Sequence, residues 1–239
     1  MIGKLANPNR FFKLADPLQP VVAWVAAALL LVGLWQALWL SPPDYQQGET
    51  VRIMYIHVPA AWLALAIYTS MAVAAICSLI WGHILADLYN RAAAPLGIAM
   101  TILCLATGSL WGEPMWGTWW VWDARLTSML VLLFLYLGYV ALVRSIRNPL
   151  QADKSASLLL VIGLVNIPII KFSVDWWATL HQPASVIRMD GPTIDPSMLT
   201  PLLLLIGAFS CGFLALVMVR LKNEYAARRQ LLQQLRVDI

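Results

Sequence analysis

Two of the three histidines in this sequence sit in similar settings, His57 in Y-I-H-V-P and His181 in T-L-H-Q-P, each two residues ahead of a proline. Between them runs W-G-T-W-W-V-W-D, Trp116 to Asp123, with Trp111 just ahead of it. Imidazole is a common metal ligand, and the iron of a porphyrin takes such ligands axially. Indole rings offer broad apolar faces with one N–H donor each, which is the surface a large planar ligand needs. The pattern predicts an iron porphyrin held between His57 and His181, leaning on Trp111, Trp116, Trp119, Trp120 and Trp122. Gly112 and Gly117 allow close backbone approach, and Pro114 stiffens the stretch, which reads as a loop. His83 lies apart and reads as a solvated loop residue.

A competing reading treats the tryptophans as an interfacial belt, since tryptophan gathers at headgroup depth. A belt is roughly symmetric, yet Trp176 and Trp177 lie on the same side as the Trp111–Trp122 group, and Trp81 alone marks the other side. Porphyrin propionates need cations. Arg52, five residues before His57, and Arg125, directly after the tryptophan run, are the candidates, with Arg188 a third. Alternatively Arg125 pairs with Asp123 and both mark a helix start, or Asp123 orients an indole N–H or a histidine; the sequence leaves these open. Cys77, Cys104 and Cys211 are scattered singly, with no metal spacing and no C-x-x-C-H attachment pattern. No G-x-x-x-x-G-K-Ser/Thr phosphate loop occurs, so ATP hydrolysis is not expected here, and no catalytic residue is assigned.

The elements that must carry these residues are membrane helices. The chain is 61% hydrophobic and only 12% charged, against about 25% charged in soluble domains. Six stretches reach or approach the roughly 20 residues of a membrane span: 21–40, 59–81, 92–110, 126–143, 156–174 and 198–219. The fifth is interrupted by Asn166, Pro168 and Lys171. Of the 16 lysines and arginines, twelve fall in the two tails and the second and fourth loops. Basic residues favour the cytoplasmic side. The predicted fold is therefore all-α: a polytopic bundle of six transmembrane helices with both termini cytoplasmic. It forms a single integral membrane domain over 1–239, with an outer tryptophan-rich loop at about 111–125. Residues 1–20, with Lys4, Arg10 and Lys13, read as the start of a retained first helix. The net charge of +4 reflects this orientation and contact with membrane lipids, and calls for no nucleic-acid partner. The basic 220–236 segment reads as lying on anionic headgroups.

The run W-G-E-P-M followed by W-G-T-W-W-V-W-D resembles the WWD domain of the heme-handling proteins of cytochrome c maturation. From Tyr45-Gln46-Gln47-Gly48 through His57-Val58-Pro59-Ala60-Ala61 to Trp176-Trp177 and Leu180-His181-Gln182, the chain is similar to the heme exporter protein C family, CcmC. The resemblance implies noncovalent heme b with His57 and His181 as axial ligands, held at the periplasmic face of a bacterial inner membrane. It implies an ABC-type complex with CcmA and CcmB, a small helper CcmD, and delivery of heme to the chaperone CcmE. Two other classes compete. A transmembrane redox cytochrome places its histidines inside the bilayer, whereas both here fall at one edge. A heme transporter usually carries intramembrane charge, and these spans have almost none.

Overall fold

The computed structural model describes residues 7–182, 185, 186 and 190–237; Arg188 lies outside them. Six helices are long and apolar enough to cross a membrane, and all regular elements among the described residues are helical.

Helix α1, Pro8–Trp35, opens with Asn7 accepting from the Asn9 amide and with proline at its first position, a favoured start. It ends in a π turn, Gln36–Leu40. A 3-10 turn, Glu49–Ile53, leads into α2, Met54–Trp81. His57 thus lies inside the first turns of α2, earlier than the predicted span start at 59. Pro59, the sixth residue of α2, has no N–H to donate to the Tyr55 carbonyl four residues back.

Helix α3, Ile84–Trp116, overruns its predicted end at 110 and absorbs Trp111 and Trp116. The tryptophan-rich loop expected at 111–125 therefore contracts to 117–123. Gly112 and Pro114 are not loop residues. A Cβ at Gly112 would lie 2.8 Å from Trp116 Cε3, so this glycine makes room for the ring inside the helix. The helix stops at Gly117, whose φ of +70° suits the left-handed position after a last helical turn.

Helix α4, Ala124–Ser145, is capped by Asp123, whose carboxylate accepts from the Leu126 amide at 2.8 Å. The fifth span divides into α5, Pro149–Gly163, and α6, Asn166–Trp176. Pro168 explains the break: its ring crowds the carbonyl four residues back, at Leu164, and it has no N–H to donate. Asn166 then anchors the joint, donating to the Ser128 carbonyl of α4 at 2.9 Å. Helix α7 runs from Pro196 to Val237, well past the predicted end at 219.

Helices α2 and α3 pack antiparallel at the centre, with α7 against both, α4 against α3, and α5 against α2 and α4. Helix α1 packs chiefly on α7 and leaves Trp24, Leu31 and Trp35 exposed, as is Trp39 in the π turn. In the core the Tyr68 and Tyr136 rings meet edge-on at 5.2 Å, and the Tyr136 hydroxyl donates to the Ala64 carbonyl. At the end of the bundle away from His57, the buried Asp153 of α5 bridges Arg91 of α3 and Arg228 of α7, at 2.6 and 2.9 Å. That network ties together the far ends of α3, α5 and α7.

Candidate functional site

The register places His57 of α2 beside the last turns of α3. Its Nδ1 lies 3.1 Å from the Thr107 hydroxyl. That hydroxyl also lies 2.6 Å from the Leu103 carbonyl, which can only accept, so its proton is used there. The Thr107 oxygen therefore accepts from His57 Nδ1–H, and the lone pair of the neutral ring resides on Nε2. One residue on, Gly108 leaves space for the ring: a Cβ there would lie 3.0 Å from His57 Cε1. One turn further, Trp111 meets the imidazole edge-on at 5.8 Å, and its indole N–H is held by Gln47 at 2.8 Å.

His181 approaches from the segment after α6. Its Nδ1 donates to Asp123 Oδ2 at 3.0 Å, which again leaves Nε2 as the lone-pair nitrogen. Thr179 pins the segment twice, donating to the same carboxylate oxygen and accepting from the His181 amide. Asp123 thus caps α4 with one oxygen and orients His181 with the other. Burial pushes the Asp123 carboxyl up, but the bonds from Thr179, the Leu126 amide and His181 outweigh it and hold it below the usual carboxylate range. Burial pulls the His181 imidazole below its ordinary value against the opposing pull of Asp123. Trp116 meets this ring edge-on at 4.9 Å. Trp111 and Trp116 are five residues apart on α3, about 7.5 Å along its axis. The two histidines accordingly flank the same helix end.

Among the described residues there is no group of three or more histidines, cysteines, aspartates or glutamates able to hold a metal. A bare zinc ion usually takes four donors. Two imidazoles whose Nε2 atoms have no hydrogen-bond partner among the described residues suit instead a metal that brings its other ligands with it.

Known proteins resemble the chain over nearly its whole length. A model of the family "Heme exporter protein C", CcmC, matches residues 1–236. The chain is 52% identical to heme exporter protein C of Bradyrhizobium diazoefficiens, over 94% of this chain and 85% of that protein. It is 46% identical to the Escherichia coli K12 protein of the same name, over 93% and 89%. A ccmC-like mitochondrial protein of Marchantia polymorpha, named for cytochrome c biosynthesis, is 48% identical over 76% of each chain. This chain belongs to the heme exporter protein C family.

The remaining candidates in this CcmC-family chain divide by position. Trp119 and Trp122 are 58% and 75% exposed, and Trp120 meets Trp122 edge-on at 5.4 Å. The Trp120 indole N–H is buried and has no hydrogen-bond partner among the described residues. Arg125 of α4 donates from Nε to Ser173 of α6 at 3.1 Å. No ion pair joins it to Asp123, and its terminal amino groups make no hydrogen bond among the described residues. Arg52 is more committed: Nε meets Glu49 at 2.5 Å, and Nη1 donates to the Ala37 carbonyl at the end of α1. His83 directly precedes α3 at the other end of the bundle, and its side chain makes no capping hydrogen bond.

Sequence reasoning did not pick out Thr107, Gly108, Thr179 or Gln47 as parts of this site. Thr107 and Gly108 fall four and three residues before Trp111, the spacing of one helical face. That signal becomes readable once α3 is known to continue through Trp116.

Proposed function

We propose that this chain holds heme b noncovalently, with the iron between His57 and His181, and hands it on for cytochrome c biogenesis. The observation that carries this is the matched state of the two rings: each donates from Nδ1 at the same helix end, and neither Nε2 has a hydrogen-bond partner among the described residues. A partner that fixes the tautomer and ring orientation of a ligating histidine is a regular part of metal sites. The unpartnered Trp120 N–H and the free amino groups of Arg125 add donors for propionates. The exposed faces of Trp119 and Trp122 supply an apolar shelf.

By this reading the site lies on the periplasmic side of a bacterial inner membrane, with both termini in the cytoplasm. The family name supports membership of an ABC-type export complex, with CcmA, CcmB and the small CcmD as neighbours and CcmE as acceptor. The chain is a handling protein rather than an enzyme. Bound heme supplies the covalent chemistry of its own later attachment. The residues here orient it: His57 and His181 fix its plane, Trp111 and Trp116 wall the imidazoles, and Arg125 steadies a propionate edge. Trp119 and Trp122 face outward, where an acceptor docks.

The test is the heme content of protein purified from membranes in mild detergent. Wild type and His83→Ala are expected to carry acid-extractable heme, and His57→Ala and His181→Ala to lose most of it. Equal heme in all four would overturn the proposal.

A further inference from the structure

The two imidazoles are oriented by partners of different strength. His181 donates to a carboxylate, Asp123, whose ionised form is held by the α4 N-terminus through the Leu126 amide and by Thr179. His57 donates to a neutral hydroxyl, Thr107, whose own proton is committed to the helix backbone. Hydrogen bonds to ionised acceptors are roughly twice as strong as neutral ones, and a carboxylate behind an imidazole makes it a more basic ligand.

We infer that His57 and His181 are unequal ligands: His181, backed by Asp123, keeps the iron, while His57, backed by Thr107, is the one that dissociates when heme is handed on. This rests on the ligation proposed above. Carriage of His181 on a non-helical segment argues the other way at first sight, since such segments move more readily than helices. Here, however, the segment is tied to α4 through both Thr179 and His181, so its position follows that of Asp123. Site-forming glycine Gly108 adds to the contrast. Lacking a Cβ, it leaves room for the His57 ring beside α3, which admits the imidazole without raising its basicity.

Carbon monoxide tests this on full-length purified protein loaded with heme and reduced. The gas replaces one axial ligand, and the iron–carbon stretching band then reports the donor strength of the histidine that remains opposite. Asp123→Asn keeps an α4 cap, because asparagine caps as well as aspartate, but removes the charge behind His181. The band is expected to shift in Asp123→Asn, to return to the wild-type position in Asp123→Glu, and to stay in place in Thr107→Val. A shift in Thr107→Val, with or without one in Asp123→Asn, overturns the assignment, as does no shift in either. If Asp123→Asn does not fold, Thr107→Val still decides: a moved band means that His57 is the retained ligand. Failure of the underlying ligation is recognised separately, because wild type would then show no six-coordinate spectrum before the gas is added.

Discussion

Gly108 and His57 fit one another: a single methyl group on α3 would come within 3.0 Å of the imidazole Cε1. So close a contact forces the ring to yield by a few tenths of an ångström, and a branched side chain forces it out. The helix itself gains from such a change, because glycine is a poor helix former. Gly108→Ala is therefore expected to lower heme affinity several-fold, and Gly108→Val to abolish retention, with little loss of thermal stability. Gly212→Ala serves as control, since nothing lies within 4 Å of a Cβ there. Heme titration and thermal unfolding of the three variants check this.

Arg125→Ala is expected to weaken heme retention more than Arg188→Ala. Arg125 has terminal amino groups free beside the helix end that carries Asp123, and its Nε is already steadied by Ser173. Arg52→Ala is expected to act differently, by freeing the end of α1 that its bond to the Ala37 carbonyl holds. The measurement is heme off-rate to a protein scavenger, alongside the unfolding midpoint. A faster off-rate in Arg188→Ala than in Arg125→Ala reverses the assignment.

Two substitutions separate stability from the site. Gly97→Ala would place a Cβ 2.2 Å from the Tyr136 ring, and overpacking of this kind typically costs about 1–3 kcal/mol. Asn166→Ala removes the bond to the Ser128 carbonyl, worth on the order of 1 kcal/mol inside a membrane bundle. Both are expected to lower the unfolding midpoint while the spectrum of the heme still bound stays unchanged. A changed spectrum would mean that these positions reach the iron.

The His181 imidazole is held below its ordinary value, first by burial. The unfolded chain therefore takes up a proton, as pH falls through the ordinary imidazole range, that the folded chain still refuses. Folding stability from this group is full above that range and declines as pH falls through it toward the lower folded value. Heme-free wild type should thus lose stability as pH falls through and below the ordinary imidazole range, and His181→Gln should show a shallower decline. Thermal unfolding across that range checks the slope. An unchanged slope in the variant contradicts the assignment.

The six spans, including the interrupted fifth one, were legible as hydropathy. The boundaries were less so. Gly112 and Pro114 suggest a loop by local propensity, yet packing of Trp116 over Gly112 keeps α3 helical until Gly117. Polar residues beyond the apolar stretch hid the length of α7, because hydropathy reports where lipid ends and not where the helix does. The role of Asp123 needed tertiary structure. Its cap on α4 is local, but its bond to His181 joins residues that only the folded bundle brings together.

The central claim is that one iron takes Nε2 from both His57 and His181, and electron paramagnetic resonance of the oxidised, heme-loaded protein tests it most directly. Wild type and His83→Ala should show a low-spin signal of two imidazole ligands, and His57→Gly and His181→Gly should each convert to high spin and return to low spin on adding free imidazole. A low-spin signal that survives either single substitution without added imidazole would contradict the account.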